Sequence, residues 1–125
     1  MADTPKIFMF YTEMPVPDSL TSKLSEAESV IFCVKTIRDA AVFTNKRILI
    51  ADKQGLTGKK VEFFSLPYKS IVTYAIETAG TFDLDSEIKL NLNGGLHVEF
   101  KFIKGKEMDV LLHKAYETIT KFVIG

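Results

Sequence analysis

Two periodicities divide the chain. Between Glu87 and Asn93 apolar Ile88, Leu90 and Leu92 alternate with Glu87, Lys89, Asn91 and Asn93. Leu96, Val98, Phe100 and Phe102 do the same against His97, Glu99 and Lys101. A two-residue period puts one set on each face of a strand, so both stretches predict strands with one wet face. Asn93-Gly94-Gly95 between them predicts a tight hairpin, because Asn and Gly accept the positive φ of such turns. After Gly105 the spacing lengthens: Met108, Leu111, Leu112, Ala115, Ile119 and Phe122 recur every three or four residues, the stripe of an amphipathic helix.

Earlier in the chain the strands are short and apolar on both sides. "SVIFCVKTI" and "AAVFTN" flank a polar connection at Arg38 and Asp39. "KRILIAD" turns through "KQGLTGK" into "KVEFFSL", which Pro67 ends, and "SIVTYAIET" follows. The count is seven antiparallel strands and a C-terminal helix, a mainly β fold of sandwich or partly open barrel type. Residues 1–17 hold three of the four prolines and predict an extended arm whose apolar part is "IFMFY". The folded domain is expected over residues 18–125. Asp18 or Ser19 is positioned to cap a short helix carrying Leu20, Leu24 and Ala27. Because Val30, Phe32 and Val34 alternate with Ile31 and Cys33, the early sheet needs two covers. The second is the N-terminal helix, the arm or a neighbouring subunit.

A chain of 125 residues with 46% apolar and 26% charged residues fits one globular domain. Its longest apolar runs fall far short of a membrane span, and Ile7 to Tyr11 is too short for the core of a secretory signal. With one cysteine, Cys33, and hence no internal disulfide, the expected compartment is the cytoplasm. Sixteen basic and sixteen acidic residues cancel, which gives no reason to expect nucleic acid as a partner. The charges are unevenly placed, however. Residues 35–69 are rich in Lys and Arg, whereas residues 70–99 carry Glu77, Asp83, Asp85, Glu87 and Glu99 against Lys89 alone. Such polarity steers head-to-tail association or presents one basic face.

Motif chemistry excludes more than it suggests. Two residues separate Gly55 from Gly58, not the four that a phosphate-binding P-loop needs, and the loop leads into a strand rather than a helix. Asp83, Asp85 and Glu87 alternate like the start of a calcium loop, but Ile88 and Gly94 stand where glycine and glutamate are required. His97 and His113 have no second histidine or cysteine at ligand spacing. No metal or cofactor is expected. Cys33, within an apolar strand, has no base beside it in sequence, so the chain is read as non-enzymatic. Lys35, Arg38, Lys59 and Lys60 are the candidate ligand-binding cluster, able to converge on an anionic group if the first and third hairpin connections share one end. Ile7, Phe8, Phe10, Ile31, Cys33 and Phe63 are the candidate oligomer interface.

Residues 37–90, with the blocks "FTNKR", "DKQGLTGKK", "PYKSI" and "ETAGTFDLDSE", resemble the bacterial pleckstrin-homology domain family. That resemblance implies a barrel of two near-orthogonal antiparallel sheets closed by a C-terminal helix, assembled into homo-oligomeric rings. Eukaryotic relatives of the fold bind phosphoinositides through a lysine and a spaced Lys/Arg-x-Arg on the first hairpin. "VKTIRDAAVF" keeps Lys35 and Arg38 but lacks the closing x-Arg, so that activity is not carried over. The resulting expectation is a ring-forming scaffold for a protein partner. An anionic-lipid or phosphate-binding module is the less favoured alternative.

Overall fold

The computed structural model describes residues 5–78 and 85–125. Eight strands form one continuous curled sheet in the order β5-β4-β3-β2-β1-β8-β7-β6. They are β1 (Lys6–Glu13), β2 (Val30–Thr36), β3 (Asp39–Thr44), β4 (Arg47–Gln54), β5 (Lys60–Pro67), β6 (Ile71–Glu77), β7 (Ser86–Leu92) and β8 (His97–Phe102). The helix α2 (Lys106–Ile124) lies across the concave side of this half-barrel.

The seven expected strands are present, and the expected arm supplies an eighth. β1 lies in the middle of the sheet, antiparallel to β2 and parallel to β8, with Phe8 opposite Phe100 and Phe10 opposite Phe102. The expected pair of all-antiparallel sheets is therefore replaced by one sheet containing a parallel pair. The reason is in the side chains of "IFMFY". Phe8 and Phe10 project into the barrel, where Phe10 stacks on Phe100 at 4.8 Å and meets Phe102 edge-on at 5.1 Å. Burying rings of this size stabilises the fold by about 1.5–3 kcal/mol each, which an unattached arm would forgo.

Helix α2 buries the predicted stripe: Met108, Leu111, Leu112, Ala115 and Ile119 are buried, with Phe122 packed at the edge of the core. It begins after Gly105, whose φ of 140° no side-chain-bearing residue readily adopts. The turn at residues 93–95 forms as expected, with Gly94 and Gly95 at φ of 84° and 82°.

The outer face of β2 to β5 carries a second apolar cluster of Cys33, Ala40, Val42, Leu49 and Ala51. Its cover comes from the same chain. Between β1 and β2 the backbone crosses this face, laying down Met14, Val16, Leu20 and Leu24. The expected short helix is there as α1 (Asp18–Thr21), a single turn in which Asp18 is the first residue rather than the cap. Leu20 is fully buried, Leu24 is partly buried and Ala27 is exposed.

Candidate functional site

The β2–β3 turn and the β4–β5 hairpin lie side by side at one end of the sheet. This follows from register, since Asp39 at the start of β3 faces Asp52 near the end of β4. Gly55 and Gly58 adopt φ of 68° and 66° and fold the longer hairpin back towards the shorter turn. A recess of about 370 Å³ lies between them, lined by Lys35, Ile37, Arg38, Lys53, Leu56 and Thr57, among others.

Arg38 does not face this recess as a free cation. Its Nε donates to the Lys53 carbonyl at 2.6 Å and its Nη2 to the Gly55 carbonyl at 2.7 Å, clamping one hairpin to the other. Lys35 lines the recess, whereas Lys59 and Lys60 stand exposed on the hairpin beyond it. The predicted cluster is thus brought to one end of the molecule but not to one point. Lys53 joins the lining although its sequence position was not singled out. Its place one step before the turn at Gln54-Gly55, in register with β5, was the available signal. Lys35, Lys53, Lys59 and Lys60 form no ion pair among the described residues. Ile37 and Leu56 project beside them, 63% and fully exposed respectively.

The candidate interface residues divide. Phe8, Phe10 and Cys33 are buried by the chain itself, the first two inside the barrel and Cys33 beneath the β1–β2 connection, so they present nothing to a neighbour. Phe63 is half-covered, with the Lys23 ammonium 4.9 Å from its ring centre. Ile7 and Ile31 remain exposed. Sequence pattern identified the doubly apolar sheet but could not say that its second cover lay within the chain. Burial also pushes the Cys33 thiol up to about 11, leaving it an inert packed group.

At the opposite end of β3 and β4 is an ion pair that no local motif announces, because its partners are 19 residues apart. Arg47 holds Glu28 in a fork, Nε to Oε2 at 3.0 Å and Nη2 to Oε1 at 2.9 Å. Glu28 also accepts the Ser25 N–H at 3.0 Å and the Thr44 hydroxyl at 2.8 Å. Arg47 also donates through Nη1 to Ser65 Oγ and through Nη2 to the Lys23 carbonyl. The Arg47 guanidinium holds the Glu28 carboxyl at about 2, against the desolvation of a side chain only 3% exposed. This pair fastens the end of the β1–β2 connection to the sheet. Among the described residues no cluster of His, Cys, Asp and Glu is arranged to hold a metal ion. Asp85 Oδ1 accepts the Lys104 N–H at 2.9 Å, and Asp83, the other part of the calcium-like run, lies outside the described residues. No helix among the described residues is long and apolar enough to cross a membrane.

Comparison with other proteins agrees with this architecture. The Bacillus subtilis protein YjqA, described as uncharacterised, is 53% identical over 79 residues, which are 63% of this chain and 63% of that protein. The alignment therefore spans less than two thirds of this relative. A second protein of that organism, YozO, also described as uncharacterised, is 37% identical over 71% of this chain and 76% of its own length. A crystal structure from Shewanella loihica, of a protein with a pleckstrin-homology domain, superposes with a TM-score of 0.72 at 39% identity, covering 90% of this chain and 96% of that one. A pleckstrin homology domain from Shewanella amazonensis gives 0.66 at 41% identity over 86% and 84% of the two chains. The family model described as Bacterial PH domain matches residues 7–123, from the second residue of β1 almost to the end of α2. With its half-barrel, its closing helix and this match over nearly the whole chain, the protein belongs to the bacterial pleckstrin-homology domain family.

Proposed function

We propose that this protein is a non-enzymatic interaction module that associates with copies of itself through the open edges of its sheet, forming a ring that acts as a scaffold for a protein partner. The observation that carries this reading is the strand order, which leaves β5 and β6 each with a neighbour on one side only. Edge strands are usually blunted by lysine, proline or a bulge. β5 has Lys60 and Pro67, but β6 (IVTYAIE) has neither lysine nor proline, and its irregularity is confined to its first end, between Ile71 and Thr73.

Charge favours pairing unlike edges. The β5 edge carries Lys59 and Lys60 against Glu62, and β6 carries Glu77 as its one charged residue, so the charges that the two unlike edges offer each other are of opposite sign. An interface joining two different patches is heterologous and closes into a ring when the rotation permits. Because the outer apolar face is covered within the chain, the edges rather than that face carry the association.

Light scattering coupled to size exclusion tests this. The expected mass is several times 14.0 kDa, reduced to the monomer by Val72→Lys with Ala75→Lys on β6. A monomer at high protein concentration, or an oligomer indifferent to those substitutions, would overturn the reading.

A second reading rests on the hairpin end. Lys35 and Lys53 line the recess with exposed Ile37 and Leu56, Lys59 and Lys60 stand on the hairpin beyond it, and none of the four forms an ion pair among the described residues, a combination suited to an anionic lipid surface. It predicts salt-sensitive sedimentation with vesicles containing phosphatidylserine, lost in a Lys35, Lys53, Lys59 and Lys60 to Glu variant. Binding that survives those changes would remove it.

A further inference from the structure

A second cleft, of about 500 Å³, lies at the other end of β3 and β4 from the paired hairpins, and its chemistry differs from theirs. Its apolar floor is formed by the part-exposed Phe122 and Pro67, with the Lys121 ammonium 5.5 Å from the Phe122 ring centre and the Tyr68 ring, only 2% exposed, beneath them. The buried Tyr68 ring stacks on Phe122 with centroids 5.2 Å apart and planes 24° from parallel, and Pro67 continues the surface.

That floor is held rigid by its own hydrogen bonds. The Tyr68 hydroxyl donates to the Thr44 carbonyl at 2.8 Å, and its N–H donates to the Lys46 carbonyl at 3.2 Å. One wall is the Glu28–Arg47 fork, in which each charge cancels the other and both make further hydrogen bonds within the chain. Asn45 is spent likewise, its side chain accepting from the Ser29 N–H and donating to the Ala27 carbonyl.

What remains unspent is cationic. Lys46 and Lys69 are exposed on the rim, and neither ammonium group has an ion pair or hydrogen bond among the described residues. The cleft therefore offers two free positive charges above a preformed apolar floor, within the volume range of small-molecule sites.

We propose that this cleft binds a small anion carrying a flat apolar body, an aryl carboxylate or aryl phosphate monoester. Its ring lies against Phe122 and Pro67, which the Tyr68 ring backs, and its charge between Lys46 and Lys69. The ring gains by leaving water against an aromatic surface that needs no rearrangement, while the two ammonium groups supply charge-assisted hydrogen bonds. Lysine acts as a point charge rather than a planar fork, so the rim does not itself choose between carboxylate and phosphate. This site is separate from the hairpin end, and its Pro67, Tyr68 and Lys69 lie where the chain passes from β5 to β6.

Titration of the full isotopically labelled chain, followed by amide chemical shifts, tests the assignment with four probes: phenyl phosphate, phenylacetate, inorganic phosphate and benzyl alcohol. The expected result is a saturable response to one or both aryl anions confined to residues 44–47, 67–70 and 119–123. Inorganic phosphate and benzyl alcohol, each lacking half of the recognition, should bind at least about tenfold more weakly. Lys46→Ala with Lys69→Ala should weaken the aryl anion about tenfold or more without altering the fold, since both side chains are exposed. Phe122→Leu should weaken it while leaving the salt dependence in place. Three outcomes would each overturn the proposal: shifts centred on Lys35 to Arg38 and Gly55 to Lys60, affinity unchanged in the double lysine variant, or equal binding of benzyl alcohol.

Discussion

Replacing Glu28 by Gln isolates the fastening of the β1–β2 connection. The carboxyl is held at about 2 instead of the ordinary 4.5, mainly by its hydrogen bonds to Arg47. A shift of that size corresponds to about 3 kcal/mol in favour of the ionised form in the folded chain. Because the folded value is depressed, this stabilisation is complete above the unfolded value of 4.5 and is lost as pH falls towards about 2. Glutamine keeps the shape, and its single carbonyl oxygen can still accept from the Ser25 N–H while the Thr44 hydroxyl keeps the Arg47 carbonyl as its acceptor, so the expected cost near neutral pH is about 2 kcal/mol rather than the full figure. Urea unfolding followed by circular dichroism at a series of pH values reads this directly. With a denaturant slope of about 1–2 kcal/mol per molar, the midpoint of the variant should fall by about 1–2 M at pH 7. The gap between the two proteins should close between pH 4.5 and about 2. A gap below about 0.5 kcal/mol at pH 7, or one that persists unchanged to the acid end, would refute the reasoning. Arg47→Gln completes a double-mutant cycle, in which a coupling above about 1 kcal/mol is expected for charges in contact.

The remaining predictions concern cover, core and turn. Leu20→Ala opens the outer cluster and should cost about 2–4 kcal/mol, with Cys33, inert in the native protein, becoming reactive to a disulfide thiol reagent under native conditions. Labelling no faster than in the parent chain would mean that the connection is not what shields it. Phe10→Ala should cost about 3–5 kcal/mol by thermal or urea unfolding, and removing residues 1–13 should abolish cooperative unfolding. A truncated chain that melts cooperatively would show β1 to be dispensable. At Gly94, φ is 84° and nothing lies within 4 Å of an added Cβ, so Ala should cost about 1–2 kcal/mol through backbone strain alone. Asn, which tolerates that conformation better, should cost less, and equal losses for the two would point to a contact instead.

Legibility from sequence followed the range of the interaction. β7, β8 and α2 could be read because alternation and the three- to four-residue stripe are local and each has a polar face. "IFMFY" was harder. A single apolar run flanked by prolines has the same appearance in a free arm and in a central strand, and only the fit of Phe8 and Phe10 against Phe100 and Phe102 decides between them. The hairpin cluster was half legible. Register alone brings Lys35 and Lys53 to one end, but the use of Arg38 as a clamp on backbone carbonyls depends on the path of a loop that no periodicity describes. The Glu28–Arg47 fork is the extreme case, two ordinary surface residue types made internal by a long connection.

The position of β1 accounts for both the covered face and the open edges. Inserted between β2 and β8, it fuses what would be two sheets into one and leaves β5 and β6 at the ends. Glu13 at the end of β1 faces Val34 of β2, so a tight hairpin at that point would have dispensed with the first residues of β2, of which Val30, Phe32 and Cys33 pair with β3. The chain instead spends residues 14–29 travelling over the outer face before β2 begins at Val30. That is a longer connection than compact domains usually allow without a purpose, and here its purpose is visible in Met14, Val16, Leu20 and Leu24. Once the outer face is closed by its own chain, hydrophobic burial there no longer requires a second subunit. Any self-association must then draw on backbone pairing and charge at the sheet edges. It should therefore weaken with added salt and with edge lysines, and be indifferent to substitutions at Phe8, Phe10 or Cys33 that leave the fold intact.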